Sequence, residues 1–345
     1  MINRNTPVLS YAFASLILLC LALARPAGAD TLLLKDGSRL HGEVVRQQEG
    51  SLEFSTPYAG VIHIKWDQVS EMETDKPVEL FLGNKELITT QKITGSETGL
   101  SVETAAGSRQ ISTADLVYIN PDKWQRGEGY KLSGQVNFGV DFQEGNTDKE
   151  ELGLDGAIKV RRQHDRLTVA GQFEKDKAGS VTTAENWQLQ SKYDYFVSDK
   201  WYYGASLGFE NDDFADLDLR TSVGPHVGYQ FFESKALNLS ADVSLLYVTE
   251  KFNVSPDDEY AALGWNIDFD KLLLAERMQL YHRQHGQMEA GDAENVVINT
   301  WTGLRIPLYG GINASTEAQV DFDGGAPTGV DKVDTIYRIK LGYAW

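Results

Sequence analysis

The chain has 345 residues, with 50 acidic against 32 basic side chains and a formal net charge of −18. That carboxylate excess excludes nucleic-acid binding as a main task, because such binding rests on neutralising phosphates with Lys and Arg. A single cysteine, Cys20, excludes a disulfide framework and a thiolate metal site.

Residues 1–29 read as a secretory signal peptide. Arg4 supplies the positive start, residues 8–24 an apolar run broken only by small polar residues, and Ala27-Gly28-Ala29 the small residues of a cleavage site. The run is short for a membrane anchor and ends in Arg25-Pro26. Leu19 stands where a lipoprotein leader needs Gly or Ala, so Cys20 leaves with the signal. Asp30 becomes the first mature residue.

Residues 30–122 contain an imperfect duplication. The first copy places Asp36-Gly37 at a tight turn, alternates Leu52, Phe54 and Thr56, turns at Gly60, and alternates again through Ile62, Ile64 and Trp66. In the second copy Phe81 and Leu87 match Leu34 and Leu40, and Leu100, Val102 and Thr104 match Leu52, Phe54 and Thr56. Gly107, Ile111, Leu116 and Ile119 match Gly60, Ile64, Val69 and Met72. Each copy resembles a small, strongly twisted SH3-like or Sm-like barrel, a type that binds peptides, glycans or its own kind. Tyr58 and Trp66 are expected in the packing. Residues 123–130 carry turn residues without a period and read as a linker, with Trp124 at a membrane interface.

Read for a period of two, residues 131–345 give about twelve strands. Val136, Phe138, Val140 and Phe142 alternate with Gln135, Asn137, Gly139 and Asp141, and the later strands follow in kind. The stretch around Met278 to His285 alternates poorly. Elsewhere charges keep to the row that lacks large apolar side chains, as lipid demands, since a charge facing mid-bilayer costs about 2–4 kcal/mol. Short turns at 197–200, 233–235, 270–271 and 309–311 alternate with longer polar stretches at 144–151, 175–184, 211–216, 250–259, 286–295 and 323–334. Membrane barrels alternate in this way. The last strand sets Tyr337, Ile339, Leu341, Tyr343 and Trp345 on one row, and Arg338 and Lys340 on the other. The aromatic row resembles the terminal signal by which outer-membrane barrels are handed to their assembly machinery.

Gly145-Asn146-Thr147, His282, the stretch from Gly303 to Leu308 and Tyr343-Ala344-Trp345, in that order, resemble the YdiY-like, salt-induced outer-membrane family. The resemblance covers the second half and implies a barrel without an assigned activity; it is silent on the duplicated front.

Chemistry is sparse. Lipid-facing hydrolases of the outer membrane need a His with a Ser two residues on; here Gln284 follows His282 at that place. His282 and His285 point to opposite faces of a strand, which spoils a metal pair. The acidic loops match no calcium spacing. No cofactor, metal or catalytic residue is therefore assigned. The inward rows carry Lys159, Arg161, Lys192, Arg220, Arg305, Arg338 and Lys340 against Asp141, Asp155, Glu174, Asp194, Glu210, Asp218, Asp242, Asp268, Glu317 and Asp321. Such charges are tolerable inside a barrel only when paired. A charge lattice and a narrow lumen are expected, with small, cation-preferring conductance from the acidic rim.

The sequence thus reads as all-β: an antiparallel transmembrane β-barrel of about 12 strands over residues 131–345, preceded by a periplasmic duplicated module over 30–122. Its expected place is the bacterial outer membrane, with a structural, envelope-stress or narrow-pore role. The expected partners are membrane lipid, the barrel-assembly machinery and, through residues 30–122, peptidoglycan or envelope proteins. The alternative is a hydrolase acting on lipid or surface peptides.

Overall fold

A computed structural model describes residues 29–96, 99–143, 149–274, 277–325 and 332–345. The signal peptide, but for its last residue, and the Gly145-Asn146-Thr147 motif lie outside the described residues. What is described is strand, turn and short 3-10 helix, so the protein is all-β. The chain divides between Asp122 and Lys123 into two compact units.

The first unit holds β1 (Asp30–Leu34), β2 (Arg39–Gln48), β3 (Ser51–Thr56), β4 (Gly60–Lys65), β5 (Val69–Leu82), β6 (Leu87–Ser96), β7 (Gly99–Thr104), β8 (Gly107–Ile111) and β9 (Leu116–Ile119). Asp36-Gly37 makes the β1–β2 turn, with Gly37 at φ +87°, a conformation that only glycine adopts at little cost. The strands form one sheet in the order β4-β3-β2-β1-β5-β6-β7-β8, with β9 joined to both β2 and β5.

This differs from two separate small barrels. β5 is long enough to close the first repeat and open the second, bending between Glu73 and Val78. Met72 on β5 pairs with Leu32 of its own repeat and Ile93 of the other. Ile119 on β9 pairs likewise with Leu80 of its own repeat and Gln47 of the other. Each repeat's last strand therefore lies between its own first strand and its neighbour's second, and one core results. Leu32, Leu52, Phe54 and Met72 of the first repeat meet Leu80, Ile93, Val102 and Ile119 of the second, all at most 2% exposed. Each such side chain contributes about 1.5–3 kcal/mol on burial. Trp66 joins this core, whereas Tyr58 lies in a turn and is exposed, so it takes no part in the packing.

The second unit opens with a 3-10 turn over Lys123–Arg126 and continues as β10 (Lys131–Gln143), β11 (Lys149–Arg161), β12 (Asp165–Ala178), β13 (Val181–Phe196), β14 (Trp201–Asp212) and β15 (Leu217–Glu233). It is completed by β16 (Leu237–Phe252), β17 (Asp258–Leu273), β18 (Met278–Glu289), β19 (Val296–Pro307), β20 (Ile312–Asp323) and β21 (Val333–Ala344). Each strand pairs antiparallel with the next, and β21 returns to β10, closing a twelve-stranded barrel. The seam is the least paired junction, joined over Gln135 to Phe138 and by reciprocal backbone bonds between Gly134 and Trp345, each 3.0 Å.

Two expected connections move. Residues 175–184 are strand on both sides of a tight turn at Gly179, because Lys175 and Glu185 pair across the hairpin (2.6 Å) above the apolar band. Asp270 and Lys271 lie within β17, and the turn follows at Leu274, where φ is +51°.

Candidate functional site: the barrel lumen

Alternation sends one row of each strand inward. At the end of the barrel with short turns, this row forms a buried network of charges and aromatic rings. Asp194 on β13 is fully buried and accepts from Arg166 Nε (2.6 Å) while lying 2.7 Å from His226 Nε2. Arg166 Nη1 donates to Gln230 Oε1 (2.7 Å). Asp242 on β16 pairs with Lys192 and accepts from Asn266 Nδ2 (2.8 Å) and Tyr202 Oη (3.2 Å). The Tyr202 ring lies over Gly228 on the next strand, where any Cβ would collide with it. Phe196 packs beside Tyr202, and the Arg166 guanidinium stands over both rings. Arg161 sits between the Phe196 and Trp124 rings and reaches Glu233 on β15 (2.8 Å). Trp124 thus covers an inward arginine rather than facing outward. Satisfied buried charges rigidify a core; unsatisfied ones cost several kcal/mol each.

Further along the bore the pairs continue with more space between them. Lys340 donates to Asp155 (2.8 Å) and Glu317 (2.5 Å), and Tyr281 Oη donates to the second oxygen of Glu317 (3.0 Å). Arg338 on β21 spans to Glu174 on β12. Arg220 joins Glu210 (3.0 Å) and Glu250 (2.6 Å), and Arg283 joins Asp268 (3.0 Å) and Asp270 (2.7 Å). These side chains leave a lumen cavity of about 570 Å³.

Of the residues named from the sequence, Lys192 meets Asp242, Lys340 meets Asp155 and Glu317, Arg338 meets Glu174, and Arg220 meets Glu210. Arg161, Asp194 and Asp268 find partners that sequence reading did not name: Glu233, Arg166 and Arg283. Lys159 and Arg305 line the cavity without a carboxylate partner among the described residues. Among the described residues Asp321 accepts from Gln319 (2.6 Å), Asp218 is exposed at the loop end, and the Asp141 side chain lies outside the described ones. Phe196 and Tyr202 were missed because they are aromatic on a polar row; their parity with Asp194 and Gly204 was the available signal.

The outward row meets a different solvent. Tyr337 and Ile339 are both 78% exposed, and Leu341, Tyr343 and Trp345 also face outward, the last two with stacked rings 5.9 Å apart. Leu154, Ile158, Leu189, Tyr203, Leu245 and Leu263 continue this face around the barrel. His282 is on it too, with Nδ1 2.8 Å from Thr302 Oγ1, while His285 points inward against Trp301. Gln284 accepts from Trp265 Nε1 (3.2 Å) on the outward side. Among the described residues no cluster of three His, Cys, Asp or Glu is placed to hold a metal.

A closed barrel with an apolar exterior and a charged interior is the build of a membrane-spanning barrel. The family described as "Protein of unknown function, DUF481" matches residues 136–345, and the chain belongs to it. No curated protein matches. Among solved structures the chain is similar to the NanC porin, at 13% identity over 62% of this chain and 99% of that one, with a TM-score of 0.40. It is also similar to the KdgM porin, at 11% identity over 62% and 99%, TM-score 0.33. The translocator domain of the autotransporter NalP from Neisseria meningitidis is similar at 12% identity over 64% and 89%, TM-score 0.34. These likenesses are weak, and the barrel stands on its own strand pairing.

Proposed function

We propose that this DUF481 family member spans the outer membrane of a bacterial envelope as a narrow, mostly closed barrel, a structural or small-solute passage element and not an enzyme. One observation carries the reading: polarity is inverted, with exposed Leu, Ile and aromatic side chains outside and a paired charge network across the bore. Lipid penalises outward charges and rewards this arrangement. The resemblance to the YdiY-like, salt-induced family supports a role in envelope adaptation to salt or osmotic load. Tyr337, Ile339, Leu341, Tyr343 and Trp345 serve as the row recognised by the assembly machinery. Residues 1–29 are removed on export, and residues 30–122 work in the periplasm as a fused SH3-like pair that holds peptidoglycan or another envelope protein.

Heat modifiability tests the barrel. The protein in purified outer membranes is expected to resist carbonate extraction and to migrate differently boiled and unboiled; identical migration with extraction would overturn the reading. In planar bilayers a small conductance is expected, and a large stable one would sink the closed lumen. Sacculi should retain the full chain better than a chain lacking residues 30–122. Vesicles holding the protein should release no fatty acid; release that disappears with His282→Ala would instead make it a hydrolase.

A further inference from the structure

The outward row of the barrel is not apolar all the way round. On β18, Tyr281 and Arg283 turn inward to Glu317, Asp268 and Asp270, so His282 and Gln284 face outward. The register carries that face to Thr302 and Thr300 on β19, which oppose His282 and Gln284, and to Ala318 on β20, which opposes Thr302. The stretch around Met278 to His285 alternates poorly because its outward row turns polar here. Apolar residues bracket the island along β19, with Val296 and Ile298 towards the long loops and Leu304 and Ile306 towards the short turns. The island therefore lies within the apolar band and not at its rim.

Its hydrogen bonding is incomplete. His282 Nδ1 lies 2.8 Å from Thr302 Oγ1, which leaves Nε2 open among the described residues whichever nitrogen carries the proton. Gln284 Oε1 accepts from Trp265 Nε1 (3.2 Å). Gln284 Nε2 reaches Thr300 Oγ1 at 3.5 Å, the limit of a hydrogen bond, and has a second N–H to give. Acyl chains supply no partner for either group. The relief matches the chemistry. Ala314, Ala318 and Thr302 are small, while Leu245 on β16 (65% exposed) and Tyr337 and Ile339 on β21 stand out on either side. Two convex barrels meet along a line, so small side chains suit that line and large ones fill the widening gaps beside it. Small contact residues likewise let membrane-spanning elements approach closely.

Symmetry selects the occupant. A two-fold axis along the membrane normal returns every residue to its own depth, so the island of one copy meets the island of another without adjustment. A carboxamide and an imidazole each offer a donor and an acceptor, so each completes its twin across such an axis. We propose that the protein pairs with a second copy of itself in the membrane through β18–β20, with His282, Gln284, Thr300 and Thr302 at the two-fold contact. This rests on the reading of the chain as a membrane-spanning barrel.

The test uses the full chain in outer membranes, with Cys20→Ala so that one introduced cysteine is the only one, and a short membrane-permeant bis-maleimide. Thr302→Cys should give a cross-linked dimer at least tenfold more abundant than Leu189→Cys, which faces outward from β13 on the opposite wall. Without an introduced cysteine, the protein in mild detergent should sediment as a dimer. His282→Leu with Gln284→Leu should lower the dimer fraction at least tenfold while heat-modifiable migration is kept. Should that double variant not fold, Ala318→Trp, which only adds bulk on the contact line, is expected to have the same effect. Equal cross-linking from both cysteines, a monomer in sedimentation, or a dimer unchanged in the folded variants would overturn the proposal. Cross-links only to a protein of another mass would overturn the second copy as occupant. A phospholipid held by a monomer and lost in the double variant would make the island a lipid site instead. Identical migration boiled and unboiled would remove the barrel itself, whereas a heat-modifiable monomer removes only the pairing, so the two failures are distinguishable.

Discussion

The front unit and the barrel are built from the same alternating strands, and they use the alternation in opposite senses. In the front unit Phe54, Leu80 and Val102 turn inward to an apolar core, while on β6 Thr89 and Gln91 alternate outward to water. In the barrel Leu154, Leu245 and Ile339 turn outward, and Asp194, Lys192 and Lys340 fill the inside. Period two says that a strand has two faces; it does not say which face is the core. The sign comes from the inward row: apolar in the front sheet, charged and mutually paired in a barrel whose solvent is hydrocarbon.

The largest test of that contrast removes a partner from each interior. Asp194→Ala leaves Arg166 without its carboxylate in the bore and is expected to cost about 3–5 kcal/mol. Phe54→Ala opens a cavity in the front core at a similar cost, about 3–5 kcal/mol. The first should lower the temperature at which heat-modifiable migration is lost; the second should leave that temperature unchanged and expose the front unit to protease.

A smaller and sharper test changes the exteriors. Leu154 is 45% exposed and Val61 43%, so exposure alone ranks them together. Leu154→Arg should cost about 2–4 kcal/mol and impair insertion, because its surroundings are lipid. Val61→Arg, facing water, should stay within about 0.5 kcal/mol. Equal effects on folded yield would mean that the two faces share one solvent.

The smallest expected effect lies in the loops. Asp216, in the β14–β15 connection, accepts from the Ser255 and Val254 backbone N–H groups of the β16–β17 connection, each 2.9 Å, and these bonds hold its carboxyl below the usual carboxylate range. A lowered folded value means the tie is fully present above the ordinary carboxylate pKa of about 3.9 and is lost as pH falls through the lowered value. Amide exchange at Val254 and Ser255, taken relative to its intrinsic rate at each pH, should stay flat from neutral pH down through that ordinary value and quicken only below it. Quickening near pH 5 would show that Asp216 does not hold the loops.

How much of this was legible follows from which contacts are local. The rows of each strand, the DG turn and the match of Leu52 and Phe54 to Leu100 and Val102 depend on neighbours in sequence, and they could be read directly. The cross-lumen partners could not. Whether Arg338 meets Glu174 or Arg161 meets Glu233 depends on the stagger accumulated around the closed sheet, and a shift of two residues would reassign every pair. The same holds for Lys159 and Arg305: that neither meets a carboxylate within ion-pair distance among the described residues is a property of the whole ring. The β5 junction was hidden for another reason: with no linker between repeats, one strand carries the signature of an end and of a beginning at once.

That junction reaches beyond this chain. Since each repeat hands its closing strand to the other, a single repeat would carry an unfilled slot and an unpaired strand of matching shape. Two such fragments would complete one another around a two-fold axis, as in exchanged-segment dimers. Tandem fusion turns that dimer into an intramolecular fold, so its assembly no longer depends on how many copies the cell makes.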